Sequence, residues 1–113
     1  MIDQRDIDRI FSEVCEVDGC WFLGKRWMGI QPMIHRHTTV RVDGVRTKMP
    51  VHKAIYLAFH GPVPDRHVVR HLCGWGGCCK PEHLGEGTQS ENMLDDSFHR
   101  KHGRGVLAPL RYS

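Results

Sequence analysis

The stretch "VVRHLCGWGGCCKPEHLGEGTQSENMLDD", residues 68–96, gathers three cysteines and two histidines in a short, glycine-broken run. Cys73, Cys78 and His83 form C-x4-C-x4-H, and Gly74, Gly76, Gly77 and Pro81 let the loop between them turn tightly. Thiolates and an imidazole are the ligands that a tetrahedral structural zinc prefers. The run offers three such ligands, so the fourth is expected from upstream, at Cys20 or Cys15. Cys20 is the choice, because it opens the strand-like "CWFLG", whereas Cys15 falls toward the end of a predicted helix near its apolar face. Cys79 competes with Cys78; adjacent cysteines point in different directions, so one of the two ligates. The rival reading is that these thiols are small buried hydrophobes.

Redox arithmetic favours metal over disulfides. The chain of 113 residues has five cysteines, an odd count that cannot be fully paired within one copy. No apolar run is long enough to span a bilayer, and "MIDQRDIDRIF" carries acidic residues where a secretory leader would be basic. A cytoplasmic address and no membrane partner are therefore expected, and a reducing compartment disfavours disulfides. With 40% hydrophobic and 26% charged residues the chain reads as one globular domain with a modest core, the kind that benefits from a staple. The net charge of +3 says little, but its distribution says more. Acidic residues crowd the first eighteen positions, while Arg36, Arg41, Arg46, Lys48 and Lys53 sit mid-chain and Arg100, Lys101 and Arg104 near the end. A polyanion partner or a plainly solvated surface both fit that charge.

Outward from the cysteine loop, the pattern predicts an α+β chain. Residues 3–17 read as a helix capped by Asp3, with Ile7, Ile10, Phe11 and Val14 on one face and "VDG" as the stop. Residues 20–36 read as strand and loop. "HTTVRVDGVRTKMPVH" reads as a hairpin turning on Asp43-Gly44, the dipeptide a type I′ turn demands. "VHKAIYLAFHG" reads as a helix with Ala54, Ile55 and Ala58 inward and Gly61 ending it, and Val68 and Val69 begin a short strand that ends at His71. A further helix follows Thr88, which stands three residues before Glu91 as in a capping box, with Met93, Leu94 and Phe98 as its buried face.

Two residues in this frame carry other chemistry. His71 ends an extended run beside a rigid loop, the support a general base needs. Asn92 offers a hard, neutral amide oxygen of the kind Mg²⁺ accepts while keeping water and substrate oxygens in its remaining positions. "HLC" at residues 71–73, the C-x4-C-x4-H loop, "KPEHL" at 80–84, "GT" at 87–88 and "ENMLD" at 91–95 together resemble the HNH, or His-Me finger (ββα-metal), endonucleases. With "GCW" at 19–21 and "VHKAIYLAFHGPVP" at 51–64, the likeness is to the zinc-loop homing endonucleases of phages and introns and covers residues 19–104.

The resemblance implies a small zinc-stabilised ββα-metal domain at residues 19–104. An N-terminal amphipathic helix at 1–18 precedes it and a C-terminal tail at 105–113 follows. It implies a DNA endonuclease in which His71 is the general base, Asn92 holds a catalytic divalent metal such as Mg²⁺, and Cys20, Cys73, Cys78 and His83 hold the structural zinc. DNA is the implied partner, with Arg41, Arg46, Lys48 and Lys53 as its candidate contacts. A homodimer is the expected route to double-strand cutting, since each chain has one site. The chain departs from the family at the glycine-rich "GWGGCC" and in its long stretch between Cys20 and the hairpin, and no transition-state arginine is matched. The alternatives are a non-catalytic zinc-stabilised DNA-binding module and a phage protein-interaction domain.

Overall fold

The computed structural model describes residues 1–24 and 36–112. The element order is α1 (Gln4–Phe11), β1 (Val14–Val17), β2 (Cys20–Leu23), β3 (His37–Val42), β4 (Val45–Pro50), α2 (Val51–His60), β5 (Val68–His71), a single 3-10 turn (Pro81–His83), β6 (Leu84–Gly87) and α3 (Gln89–His102). Among the described residues the strands pair as three antiparallel hairpins, β1–β2, β3–β4 and β5–β6. The fold is therefore α+β, as the sequence predicts. The expected strand and loop over 20–36 is seen at β2; its remainder up to residue 35 lies outside the described residues.

The first helix is shorter than its periodicity suggests. Asp3 caps it by accepting from the Arg5 backbone N–H, but it ends at Phe11, and Val14–Val17 is a strand. The "VDG" that reads as a helix stop is a hairpin turn: Asp18 (φ 50°) and Gly19 (φ 81°) both take the left-handed conformation that a type I′ turn requires. Val14 and Val17 are β-branched and pair with Leu23 and Cys20, which satisfies backbone groups that a longer helix would have used internally. Cys15 consequently stands on β1 opposite Phe22, not on a helix. The second Asp-Gly turn, at Asp43 (φ 50°) and Gly44 (φ 83°), follows the sequence expectation.

One apolar core joins α1, the β3–β4 hairpin and α2 through Ile7, Ile10, Val40, Met49, Ala54 and Ile55. Asp6, itself buried, fastens α1 to the hairpin by accepting from the Arg41 backbone N–H at 2.8 Å, and Arg9 donates to the Thr39 carbonyl at 2.9 Å. On α2, Ala54 and Ile55 are buried as expected, but Tyr56 is buried and Ala58 is exposed. A second, smaller cluster holds Cys20, Phe22, Cys73 and Cys78 with Trp75 packed against it. The Phe22–Cys78 bridge lies within this smaller cluster, while the next residues along both segments, Cys79 and Trp21, belong to the larger core and are joined by the Cys79 N–H donating to the Trp21 carbonyl at 2.8 Å.

The last helix also differs from expectation. Thr88 and Glu91 form the reciprocal capping box, yet Met93 is 66% and Leu94 46% exposed. The buried residues of α3 are Asp95 and His99. An apolar periodicity cannot reveal this, because the face is turned inward by polar partners: a buried arginine meets Asp95, and two backbone carbonyls accept from His99 Nε2.

Candidate functional site

The glycine-rich loop folds back so that Cys20 from β2, Cys73 just after β5, Cys78 from the loop and His83 from the 3-10 turn converge. Their ligand atoms all lie within 4.8 Å of one another. His83 Nδ1 is 3.5 Å from Cys20 Sγ and 3.6 Å from Cys78 Sγ. Tetrahedral zinc with ordinary Zn–S and Zn–N bonds separates sulfur from nitrogen by about 3.6 Å. The donor set and its spacing thus fit a structural zinc, and the three cysteines are buried.

Local backbone bonds explain the convergence. The Gly74 N–H donates to the His71 carbonyl at 2.9 Å and the Cys78 N–H to the Trp75 carbonyl at 3.0 Å, closing two successive turns. Gly74 sits at φ 82°, where a side chain is strained. The Leu72 N–H donates to the His83 carbonyl at 2.8 Å, which brings the two ends of the loop side by side.

The thiols sit close enough to shift one another's protons. The hydrogen bond from Cys73 pulls Cys78 down to about 5, against the opposing effect of burial. The same bond, with burial, pushes Cys73 far up, and burial followed by the nearby Cys78 charge raises Cys20 to about 11. Ligands packed this closely compete for protons until a cation takes their place. Cys79 separates from the group: burial pushes its thiol up to about 12, and its side chain belongs to the larger apolar core. Cys15 is not among the converging ligands.

β5, β6 and α3 form an antiparallel hairpin with a helix packed on it. His71 closes β5 opposite Leu84, and Asn92 lies in the first turns of α3, its N–H donating to the Thr88 carbonyl at 3.0 Å. Beside Asn92, Glu91 is held in the capping box, where the Thr88 backbone N–H keeps its carboxyl below the usual range. The His71 ring packs edge-on against His52 from the first turn of α2, with centroids 4.5 Å apart. Sequence reading missed His52, whose only signal is its position directly after the hairpin. Arg36 lines the same small cavity as His52, together with Gly76 and Gly77.

Strict alternation along β3 and β4 turns Val40 and Met49 to the core and leaves His37, Thr39, Arg41, Arg46 and Lys48 exposed on the opposite face. Arg41 stands directly across from Arg46. Like charges in that relation disfavour the pairing unless an anion lies over them. Lys53 is exposed too, but on α2.

Residues 50–94 match the family of HNH endonucleases. No curated protein and no solved structure matches the chain. No described helix is long and apolar enough to cross a membrane.

Proposed function

We propose, from the match of residues 50–94 to the HNH endonuclease family, that the chain hydrolyses phosphodiester bonds in DNA with His71 as general base and Asn92 as a catalytic metal ligand. The observation that carries the reading is the hairpin-and-helix unit that starts in that segment and runs past it along α3, with His71 at the end of β5 and Asn92 in the first turns of α3. His71 takes a proton from the attacking water as the new P–O bond forms and the bond to the 3′ oxygen breaks, leaving a 5′-phosphate. Asn92 would hold a hard divalent cation such as Mg²⁺ through its amide oxygen, and that ion would supply charge relief to the phosphate and the departing oxygen. The edge-on His52 ring limits how far the His71 ring can turn.

Structural zinc at Cys20, Cys73, Cys78 and His83 contributes shape and folding energy, not chemistry. The exposed face with Arg41, Arg46 and Lys48 is the DNA contact, with Lys53 a further candidate; what supports that role is its run of basic side chains, of which Arg41 alone has an acidic neighbour, Asp6, among the described residues.

The test is a supercoiled-plasmid assay with Mg²⁺, repeated after metal chelation. His71→Ala is expected to lose cleavage while keeping its zinc, its melting curve and its DNA affinity; full activity in that variant removes His71 from the reaction. Asn92→Ala is expected to raise the Mg²⁺ requirement without changing DNA affinity. DNA binding with no cleavage by the wild-type chain would instead identify a non-catalytic DNA-binding module.

A further inference from the structure

Arg70 is the largest fully buried side chain, with 0% exposure, and every N–H of its guanidinium is used. Nε and Nη2 grip Asp95 of α3 at 2.7 Å each. Nη1 donates to the Glu86 carbonyl at 3.4 Å and the Leu110 carbonyl at 2.6 Å, and Nη2 also donates to the Pro109 carbonyl at 3.0 Å. Five donors thus meet five acceptors, and two of those acceptors come from the C-terminal segment. The same segment also closes on Asp95: the Tyr112 hydroxyl donates at 2.6 Å to Oδ1, the oxygen that accepts from Arg70 Nη2, and the Arg70 guanidinium lies over the Tyr112 ring.

The rest of that segment is tied down along its length. The Gly105 N–H donates to the Cys73 carbonyl at 2.7 Å and the Ala108 N–H to the Leu72 carbonyl at 2.8 Å. Arg104 donates to the Gly74 carbonyl at 3.2 Å with its guanidinium over the Trp75 ring. Arg111 pairs with the Glu86 carboxylate. These bonds run from the zinc loop across β5 to α3.

We propose that residues 104–112 are a strap that fixes the spacing between β5 and α3, and that Arg70, Asp95 and Tyr112 are positioning residues for the reaction at His71 and Asn92. Arg70 is the immediate neighbour of His71, and Asp95 is one helical turn beyond Asn92, so the clamp joins the two backbone segments that carry the reacting groups. Alternation along β5 turns Arg70 into the interior on the face opposite His71. Removing the strap would strip a buried guanidinium of two acceptors and let α3 shift against β5. The strap lies beyond the segment matched to the family. The catalytic part of this proposal rests on the nuclease reading above.

The test uses full-length, zinc-loaded Tyr112→Phe and Arg70→Lys, the first removing one hydroxyl and the second keeping the charge without the fork. Zinc content and plasmid affinity are expected to stay at wild-type values. The turnover number is expected to fall about tenfold for Tyr112→Phe and roughly a hundredfold for Arg70→Lys, with KM for plasmid unchanged. The Mg²⁺ concentration for half-maximal cleavage rises in both. Amide hydrogen exchange over residues 92–96 is expected to quicken in Tyr112→Phe. Unchanged turnover in both variants, or KM and zinc content moving together with turnover, overturns the positioning role. A wild-type chain that does not cut plasmid overturns the nuclease reading and the positioning role with it. Exchange then decides the strap alone: faster exchange in Tyr112→Phe retains it as a spacer, and unchanged exchange removes it.

Discussion

At the scale of single residues, Gly74 shows how closely the loop is fitted to its surroundings. A Cβ at this position would come within 2.7 Å of the His99 ring, on a backbone already at φ 82°. His99 cannot yield easily, because its Nε2 donates to the Leu72 carbonyl at 2.9 Å and the Val106 carbonyl at 3.0 Å. Gly74→Ala should therefore cost about 2 kcal/mol of stability, from left-handed strain and the displaced imidazole together, read as a lowered urea midpoint in zinc-loaded protein. Cys73, Cys78 and His83 are legible because their chemistry is local: C-x4-C-x4-H announces a metal loop wherever its helices lie, whereas Cys20 comes from the distant β2. Met93 and Leu94 face outward because a buried ion pair through Asp95, not apolarity, sets the inner face of α3. Nothing local in the sequence pairs Arg70 with Asp95; only the fold brings them together.

Elements show the same division between local and long-range signals. Asp43-Gly44 is flanked by alternating residues and reads correctly as a hairpin, whereas Asp18-Gly19 follows a helical periodicity strong enough to hide a second one. The β3–β4 hairpin also carries the clearest electrostatic prediction. Replacing Arg46 by Ala should weaken DNA binding about equally across sequences and flatten the plot of log affinity against log salt by about one unit, as expected for one lost phosphate contact. Arg41 is a less clean probe, since its guanidinium lies 3.8 Å from the buried Asp6 carboxylate. A slope unchanged by Arg46→Ala, measured by fluorescence anisotropy at several salt concentrations, would move the DNA contact off this face.

Across the whole molecule, the C-terminal strap makes stability depend on alkaline pH. Burial, then the hydrogen bond to Asp95, raises the Tyr112 hydroxyl from 10.0 to about 12. A raised folded-state value favours the neutral phenol, so this contribution is complete below pH 10 and is lost as pH rises toward about 12. Denaturant midpoints measured across that window should fall more steeply for wild type than for Tyr112→Phe. Chelation acts on the other half of the molecule. Removing zinc should loosen β5 and the cluster of Cys20, Phe22 and Trp75 before the core of α1, the β3–β4 hairpin and α2, an order that site-resolved hydrogen exchange can read.

The distant origin of Cys20 has a consequence for chain topology. A metal held by Cys73, Cys78 and His83 alone closes a ring of roughly ten residues, whereas engaging Cys20 encloses roughly fifty, including the β3–β4 hairpin and α2. With zinc bound, that one coordinate bond would work as a long-range cross-link. By the loop-closure relation it withholds from the denatured chain freedom worth about 4 kcal/mol, much as a disulfide of the same span would. Cys20→Ser should accordingly separate two quantities that zinc removal confounds: three ligands still capture the ion, more weakly, while the denaturation midpoint drops as though a covalent tie had been cut.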